Sequence, residues 1–437
     1  MSAKTSHGLP NAVSATFLTP EILQNILEEV AADPDPRLSM RMINNCRTVA
    51  RAFRDRATKV MFYHLRVVDK EVMINKRLWF IAVHQRAMLN EIRKLHVILV
   101  QEAGLQQATA GILDWVFKRM SSNITSIHLS YEPTDPKVAL SFSRLVADYM
   151  NVAVGLKKAC RVDGFQHLIL EDMREIEGNF FGSQCQYLKN LTLERCSFLP
   201  CRSQALYSPN AETFCGLETL RVVEALSNRA IKFSETIPYM ESRPSVNLRS
   251  VSWMVQSRNG AADMWTKLAV LGNAHMLEEF EVIDLVRDGA SAGGALNEVI
   301  DLVWLKDSLR TFSLKIIITN PTVPLSRNNS FNILNISPLD GVSYIKDLHI
   351  TIETFYDYKD LTSFFTSRRT GWAKFKSETL RQHDSYPWLN ALNIELRLKT
   401  HADLDEPSDA EIEEFDEDLD FRFLEEKGVV GDLKVVY

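Results

Sequence analysis

One short segment of the sequence has residue types and spacing that could support covalent catalysis. Residues 289–293, GASAG, match G-x-S-x-G, the turn that presents the nucleophilic serine of α/β-hydrolases. The strand-like residues before it end near Ile283, several residues too early for that tight turn, and the chain has no H-G-G-G-type oxyanion segment. A serine hydrolase that uses Ser291 is therefore a remote alternative. A loop between structural elements is the favoured interpretation.

The other reactive residue types form no recognisable catalytic site. The ten histidines are dispersed, and the six cysteines form neither a C-x-x-C pair nor a Cys/His set at zinc-like spacing. The sequence has no phosphate-binding glycine loop, dinucleotide fingerprint, zinc-protease motif or kinase signature. We therefore expect no catalytic residue, no metal and no cofactor, and we expect a binding protein rather than an enzyme.

The charge of the chain is concentrated near its end. Residues 402–426 hold thirteen acidic residues and one base, a net charge of -12, so that the whole-chain value of -6 leaves +6 for the remainder. An acidic run of this kind is typical of a solvated tail. The basic excess elsewhere is too small and scattered to predict nucleic-acid binding, and no segment is typical of a signal peptide or a membrane span. We expect a cytoplasmic or nuclear protein that binds neither nucleic acid nor membrane.

The elements that would position any binding residues are indicated by a repeat. In YLKNLTLERC, Leu188, Leu191, Leu193 and Cys196 follow the spacing L-x-x-L-x-L-x-x-C, which is the strand-and-turn signature of a leucine-rich repeat. Cys196 is then expected to be a buried turn residue. The same six-residue apolar pattern starts at nine other positions, which are Ile92, Ile124, Phe165, Leu217, Leu248, Leu277, Leu309, Ile345 and Leu389.

A position that was not used to find the repeats supports them. The residue between the last two apolar positions is polar in nine of the ten segments, as expected for strands with one buried and one solvated face. The connections show helical apolar stripes in four stretches, at 111–120, 138–159, 262–272 and 296–307. Alternating strands and helices predict an α/β fold in which parallel strands line the concave face of an irregular solenoid and helices lie outside.

Partner binding in such a solenoid would use outward strand positions, because the sheet presents those side chains together. Both charge signs occur there, so the pattern does not select a substrate class. The candidate partner-binding residues are Thr192, Glu194, Arg221, Ser252, Glu281, Lys315, His349 and Asn393.

The N-terminal residues predict a small helical module. Thr19 is a good N-cap, Pro20 suits the first helical position, and an apolar stripe follows as far as Val30. A second amphipathic helix is predicted around Val49 and Phe53. The expected divisions are a disordered leader 1–17, the module 18–68, a linker helix 69–91, the repeats 92–400, the acidic tail 401–427 and a C-terminal end 428–437.

The helical module followed by repeats resembles an F-box protein with leucine-rich repeats, of the fungal type. Residues 18–27 resemble the opening L-P-x-E-[IL] segment, with Thr19 inserted before the proline. Residues 46–54, CRTVARAFR, resemble the family's L-V-C/S-K-x-[FW]-R helix, and residues 62–67, FYHLRV, resemble its closing LF-x-x-V.

This resemblance implies the substrate-recognition subunit of an SCF-type (cullin-RING) ubiquitin ligase. The F-box would dock on the Skp-type adaptor, and the repeats would hold a protein substrate. The alternative is a leucine-rich-repeat binding or scaffold protein with a degenerate F-box and no ligase role. The adaptor contacts that the resemblance implies are Leu18, Pro20, Ile22, Leu23, Ile26, Leu27, Val49 and Phe53.

Overall fold

A single long β-sheet organises the computed structural model of the chain. Its twelve strands are all parallel, and each lies beside the strands that precede and follow it among those twelve along the chain. The residues that the structure describes are 25–27, 29–30, 41–46, 56–57, 60, 63–68, 91–100, 123–132, 140–141, 150–174, 176–177, 187–196, 198–199, 216–223, 248–255, 277–286, 302–305, 307–335, 343–355, 357–367, 369–382, 385–399, 410 and 429–436.

The strands are numbered in chain order, and four short ones form two separate pairs. The twelve strands of the main sheet are β1 (His64–Val68), β2 (Lys94–Val100), β3 (Ser126–Glu132), β5 (His167–Glu171), β8 (Asn190–Glu194), β10 (Thr219–Val223), β11 (Ser250–Val255), β12 (Glu279–Val286), β13 (Thr311–Ile318), β14 (Asp347–Phe355), β15 (Ala391–Lys399) and β16 (Val430–Val436). The two pairs are β4 (Leu140–Ser141) with β6 (Met173–Arg174), and β7 (Ile176–Glu177) with β9 (Phe198–Leu199).

Alternating burial shows why these residues form strands. In β14 every second residue is buried, and Leu348, Ile350 and Ile352 are almost fully enclosed. β-Branched and other apolar side chains at period two cover one face of a strand and leave the other face polar. The apolar faces of all the main strands from β2 to β15 belong to one hydrophobic core. The sheet therefore has one core face and an opposite, mostly polar face, which we call the polar face although Ile98, Ile283 and Leu285 are buried on it.

The ten predicted strands are confirmed, and the sheet has one further strand at each end. The first of these, β1, pairs with β2, and the last, β16, pairs with β15. Cys196 is a buried turn residue, as expected. Its Sγ donates a hydrogen bond to the Leu170 carbonyl at 3.2 Å, and burial raises the pKa of the thiol to about 12.

The connections differ from the predicted helices. Within the predicted helix 138–159, β4 pairs with β6, and the helix itself, α1, begins only at Met150 and ends at Ala159. In the predicted helix 296–307, the described residues form one 3₁₀ turn, Leu302–Leu305, whose last carbonyl accepts from the Leu309 amide at 3.0 Å. The predicted helices at 111–120 and 262–272 lie outside the described residues.

A polar and aromatic layer supports β12 to β15 on the core side. It holds the 3₁₀ turns Leu325–Arg327 and Ser330–Leu334, the helix α2 (Tyr358–Thr366), a short α-helix Trp372–Lys374 and a π-helix Phe375–Gln382. Asp360 on α2 accepts hydrogen bonds from the amides of Leu325 and Ser326. These contacts anchor the first 3₁₀ turn to the helix.

The N-terminal residues form a second, small hydrophobic cluster. Helical residues occur at 25–27, 29–30, 41–46, 56–57 and 60, and the cluster is built from Leu27, Ile43, Ala57, Val60 and Tyr63.

Tyr63 joins this cluster to the sheet. Its carbonyl accepts from the amides of Arg93 and Lys94, and the Arg93 guanidinium lies 4.2 Å from the centre of its ring. The residue after it starts β1, so the helical residues lead directly into the sheet. The leader, the linker helix up to residue 90 and nearly all of the acidic tail lie outside the described residues. None of the described helices is long and apolar enough to cross a membrane.

Candidate functional site: the polar face of the sheet

The polar face is made of the strand residues that alternate with the core positions. Strand register aligns these residues in rows that cross the sheet. The middle row, from β1 to β15, is Arg66, His96, His128, Ile169, Thr192, Arg221, Ser252, Glu281, Ser313, His349 and Asn393.

The structure places all eight candidate partner-binding residues on this face. Six lie in the middle row, and Glu194 and Lys315 lie in the next row toward the carboxyl ends of the strands. Ser252 donates to the Glu281 carboxylate, and the Asn393 amide lies 3.1 Å from His349 Nδ1. Six strand spacings separate β8 from β15, about 29 Å. The eight residues therefore form a line across a surface and not one pocket.

Two stacked imidazoles mark the β2–β3 end of the polar face. The rings of His96 and His128 are parallel within 4°, with their centres 4.0 Å apart. His96 Nε2 lies 3.2 Å from Ser130 Oγ, and His128 Nε2 lies 3.2 Å from Glu171 Oε2. Burial, together with the nearby His128 and Arg66, lowers the pKa of His96 to about 4 despite the opposing charge of Glu171. The His96 ring is therefore neutral at neutral pH.

An ion pair next to this stack has unusual backbone geometry. Asp172 and Arg195 follow β5 and β8, and both have left-handed φ values, 58° and 52°. Arg195 donates from Nε to Asp172 Oδ1 at 2.6 Å and from Nη2 to Asp172 Oδ2 at 2.5 Å, and it also donates to Glu171. These bonds raise the pKa of Arg195 above its usual range. Left-handed backbone is costly for residues other than glycine, so these contacts hold the two turns.

Sequence reasoning missed this pair, although the sequence carries a signal for it. LILED and LTLER occupy the same place in two successive repeats, so Asp172 and Arg195 follow paired glutamates. Opposite charges at equivalent positions of neighbouring parallel strands lie side by side.

A second charged group lies near the carboxyl ends of β13 to β16, and we call it the basic cluster. Glu353 contacts Lys315 Nζ at 3.8 Å and Lys399 Nζ at 2.6 Å. Glu395 contacts Arg397 Nη2 at 2.8 Å and Lys434 Nζ at 3.4 Å. Each carboxylate therefore lies between two cations. The members of the basic cluster are Lys315, Glu353, Glu395, Arg397, Lys399 and Lys434.

Both carboxylates of the basic cluster have lowered pKa values. Burial alone would raise the pKa of Glu353, but its hydrogen bond to Lys399 and the charges of Lys399, Lys315 and Arg397 outweigh this and lower it. The hydrogen bond from Arg397 is the main reason why the pKa of Glu395 is lowered, and Lys434 adds to it. Both groups are ionised at neutral pH.

The described side chains do not form the expected parts of a hydrolase or a metal site. Within the described ranges, no group of three or more His, Cys, Asp and Glu side chains has metal-binding geometry. Residues 289–293, including Ser291, lie outside those ranges. His349 has the Asn393 amide at hydrogen-bonding distance rather than a serine or cysteine nucleophile.

The predicted adaptor contacts divide between the core and the surface. Leu27 is fully buried in the N-terminal cluster, whereas Ile26 is 38% exposed. Leu27 therefore supports the core and cannot touch a partner without opening it. Met42, on the helical segment 41–46, is 40% exposed. It was not among the predicted adaptor contacts, and the sequence marks it only as an apolar residue next to Ile43, which is buried. The other six predicted contacts, Leu18, Pro20, Ile22, Leu23, Val49 and Phe53, lie outside the described residues.

Comparison with known proteins gives no family for the chain. No protein-family model matches it, and no curated protein matches it. The likeness to F-box proteins with leucine-rich repeats therefore rests on the residue patterns described above.

Proposed function

We propose that the protein is the substrate-recognition subunit of an SCF-type ubiquitin ligase, with its N-terminal module on the Skp-type adaptor and a protein substrate on the polar face. The observation that carries the proposal is the direct junction at Tyr63 between a small helical cluster and a twelve-stranded parallel sheet. The helical module that would dock on the adaptor and the polar face that would bind the substrate are thereby joined directly. In this role the protein would work in the cytoplasm or nucleus.

Two exposed apolar side chains support docking by the module. Ile26 and Met42 are both more than a third exposed, and they lie on helical segments whose neighbouring residues Leu27 and Ile43 are buried in the N-terminal cluster. Apolar surface on so small a module favours a partner that covers it, as in helix-in-groove recognition. The adaptor would then bury Ile26 while Leu27 remains in the core.

The polar face supports the substrate-binding half of the proposal. Among the described strands, residues from eleven consecutive members of the sheet align in the middle row, and most of them are polar and at least partly exposed. A protein partner could contact several strands at once, since neighbouring strands are only about 4.8 Å apart.

Co-purification of the full chain from a eukaryotic extract tests adaptor docking. The full chain is needed because β1 pairs with β2, so that fragments divided after residue 68 would break the sheet. We expect Skp adaptor and cullin with the wild type and loss of both with Ile26→Asp. Val154→Asp is the matched control, because Val154 is also an exposed apolar residue on a helix, 43% exposed on α1. Absence of the adaptor from the wild-type sample, or its retention by Ile26→Asp, would contradict the proposed docking.

A scaffold protein without a ligase role is the second candidate. The burial of Leu27 favours it, because one of the adaptor contacts implied by the F-box resemblance is not at the surface. This candidate predicts that the full chain recovers a protein partner but no Skp adaptor. Variants on the polar face would then lose that partner, and Ile26→Asp would retain it.

A further inference from the structure

We propose that the basic cluster binds an acidic, extended segment of a partner protein. The inference deepens the proposed function, since it rests on the assignment of partner binding to the polar face. It does not depend on adaptor docking. The cluster lies on four neighbouring strands at the carboxyl-end side of that face.

The basic cluster presents its cations outward. The side chains of Glu353 and Glu395 are 21% and 24% exposed, whereas those of Arg397, Lys399 and Lys434 are 46%, 40% and 67% exposed. The carboxylates thus lie closer to the sheet, and three of the four cations extend past them into solvent. An approaching partner meets positive charge first.

The cluster has more positive than negative charge. Its four cations and two ionised carboxylates give a net charge of +2. Each glutamate already shares its charge between two cations, so neither pair of cations is fully compensated. A carboxylate of the partner beside each pair of cations would balance the remaining positive charge. The cluster therefore favours an anionic partner.

The spacing of the cations fits an extended peptide. Lys315 and Lys434 lie on β13 and β16, three strand spacings apart, which is about 14 Å. An extended peptide rises about 3.4 Å per residue, so four or five residues cross this distance with alternate side chains on one side. Acidic residues at alternate positions of a crossing segment would meet the cations of β13, β15 and β16 in turn.

The test measures binding of a fluorescent peptide to the full chain. The probe is a twelve-residue peptide with glutamate at alternate positions, and fluorescence anisotropy reports its binding at low and physiological salt. We expect saturable binding that weakens with salt, because exposed charges are screened within about 10 Å at 0.1 M ionic strength. A peptide with lysine in place of glutamate is expected not to bind. Equal binding of the two peptides, or of a single-stranded oligonucleotide of similar charge, would overturn the proposal.

A matched pair of variants locates the site. Lys399→Glu is expected to weaken peptide binding by about fivefold or more, in line with the energy of partly exposed ion pairs. Arg249→Glu makes the same change in total charge at the amino-terminal edge of the sheet, where Arg249 is half exposed and 3.9 Å from Glu278. It is expected to bind like the wild type. Equal effects of the two substitutions would show a non-specific charge effect and sink the assignment, provided that both variants have the wild-type melting temperature.

One further variant separates an external partner from the chain's own acidic residues. Replacing residues 402–426 with a neutral Gly/Ser linker of the same length removes a net charge of -12. If the peptide binds only to this variant, the chain's own segment is the occupant and the external partner is excluded. Loss of adaptor co-purification with retained peptide binding would contradict the ligase role alone, and the reverse result would contradict this inference alone.

Discussion

The substitution Gly371→Ala tests how the polar and aromatic layer on the core side of β12 to β15 is held. Gly371 precedes the short helix Trp372–Lys374 and has a φ of 83°, where an alanine costs about 1–2 kcal/mol. A Cβ at this position would lie 2.3 Å from Asn332 Oδ1 and 2.7 Å from the Asn332 amide nitrogen. That amide donates to the Asn329 carbonyl at 3.0 Å, so it cannot move freely. We expect a total loss of about 3–5 kcal/mol in the free energy of unfolding.

Urea unfolding, followed by tryptophan fluorescence and circular dichroism, measures this loss. Gly164→Ala is the control, because a Cβ at Gly164 would have no neighbour within 4 Å, and its effect is expected to stay within about 0.5 kcal/mol. Adding Asn332→Ala to Gly371→Ala removes the side-chain clash but neither the backbone clash nor the left-handed strain. It is expected to recover only part of the loss. An equal midpoint for the Gly371→Ala and Gly164→Ala proteins would refute the reasoning.

Three further predictions concern the polar face and its support. Because the pKa of His96 is about 4 in the folded chain, below the ordinary histidine value of 6.5, the unfolded state binds more protons between these values and acid lowers stability there. After allowance for solvent around the half-buried ring, the free energy of unfolding of His96→Gln should fall by about 1–2 kcal/mol less than that of the wild type between pH 7 and pH 4, measured by urea midpoints; equal pH slopes would contradict this. Asp360→Ala should cost about 1–3 kcal/mol because two amides of the 325–327 turn lose their acceptor, and hydrogen exchange at Leu325 and Ser326 should accelerate; unchanged exchange would count against it. Arg195→Gly should be about 1 kcal/mol more stable than Arg195→Ala in urea, since both lose the ion pair but only alanine keeps the left-handed strain; the opposite order would disprove that assignment of strain.

The strands could be predicted because alternating apolar residues are a local property of the sequence. The same local pattern explains why two strands of the main sheet, β1 and β16, were missed. Residues 62–67, FYHLRV, fit the six-residue pattern, but their resemblance to the end of an F-box assigned them to the helical module, whereas residues 64–68 form β1. In β16, Gly431 lies in register with the buried Leu392, so the pattern lacks an apolar residue there.

The site was only partly predictable because its contacts cross between strands. His96 and His128 share one repeat position, so their proximity follows from the period once the register is known. Lys315 was predicted on the outward face, but its partner Glu353 lies beyond the six-residue pattern, in a strand that is nine residues long. The extra strand length, the left-handed turns and the register come from packing between repeats. A single repeat does not contain them.

Because of the junction at Tyr63, the number of strands in the sheet sets the distance between the helical cluster and the polar face. Since the helical cluster leads into β1 without an intervening segment, the spacing between that cluster and any point on the polar face is set by the number of strands between them. Eleven strand spacings separate β1 from β16, about 53 Å along the sheet. Removing one internal repeat would bring the basic cluster closer to the helical cluster by about 4.8 Å without altering either of them. The number of repeats is thus itself a determinant of how far a bound partner lies from whatever holds the helices.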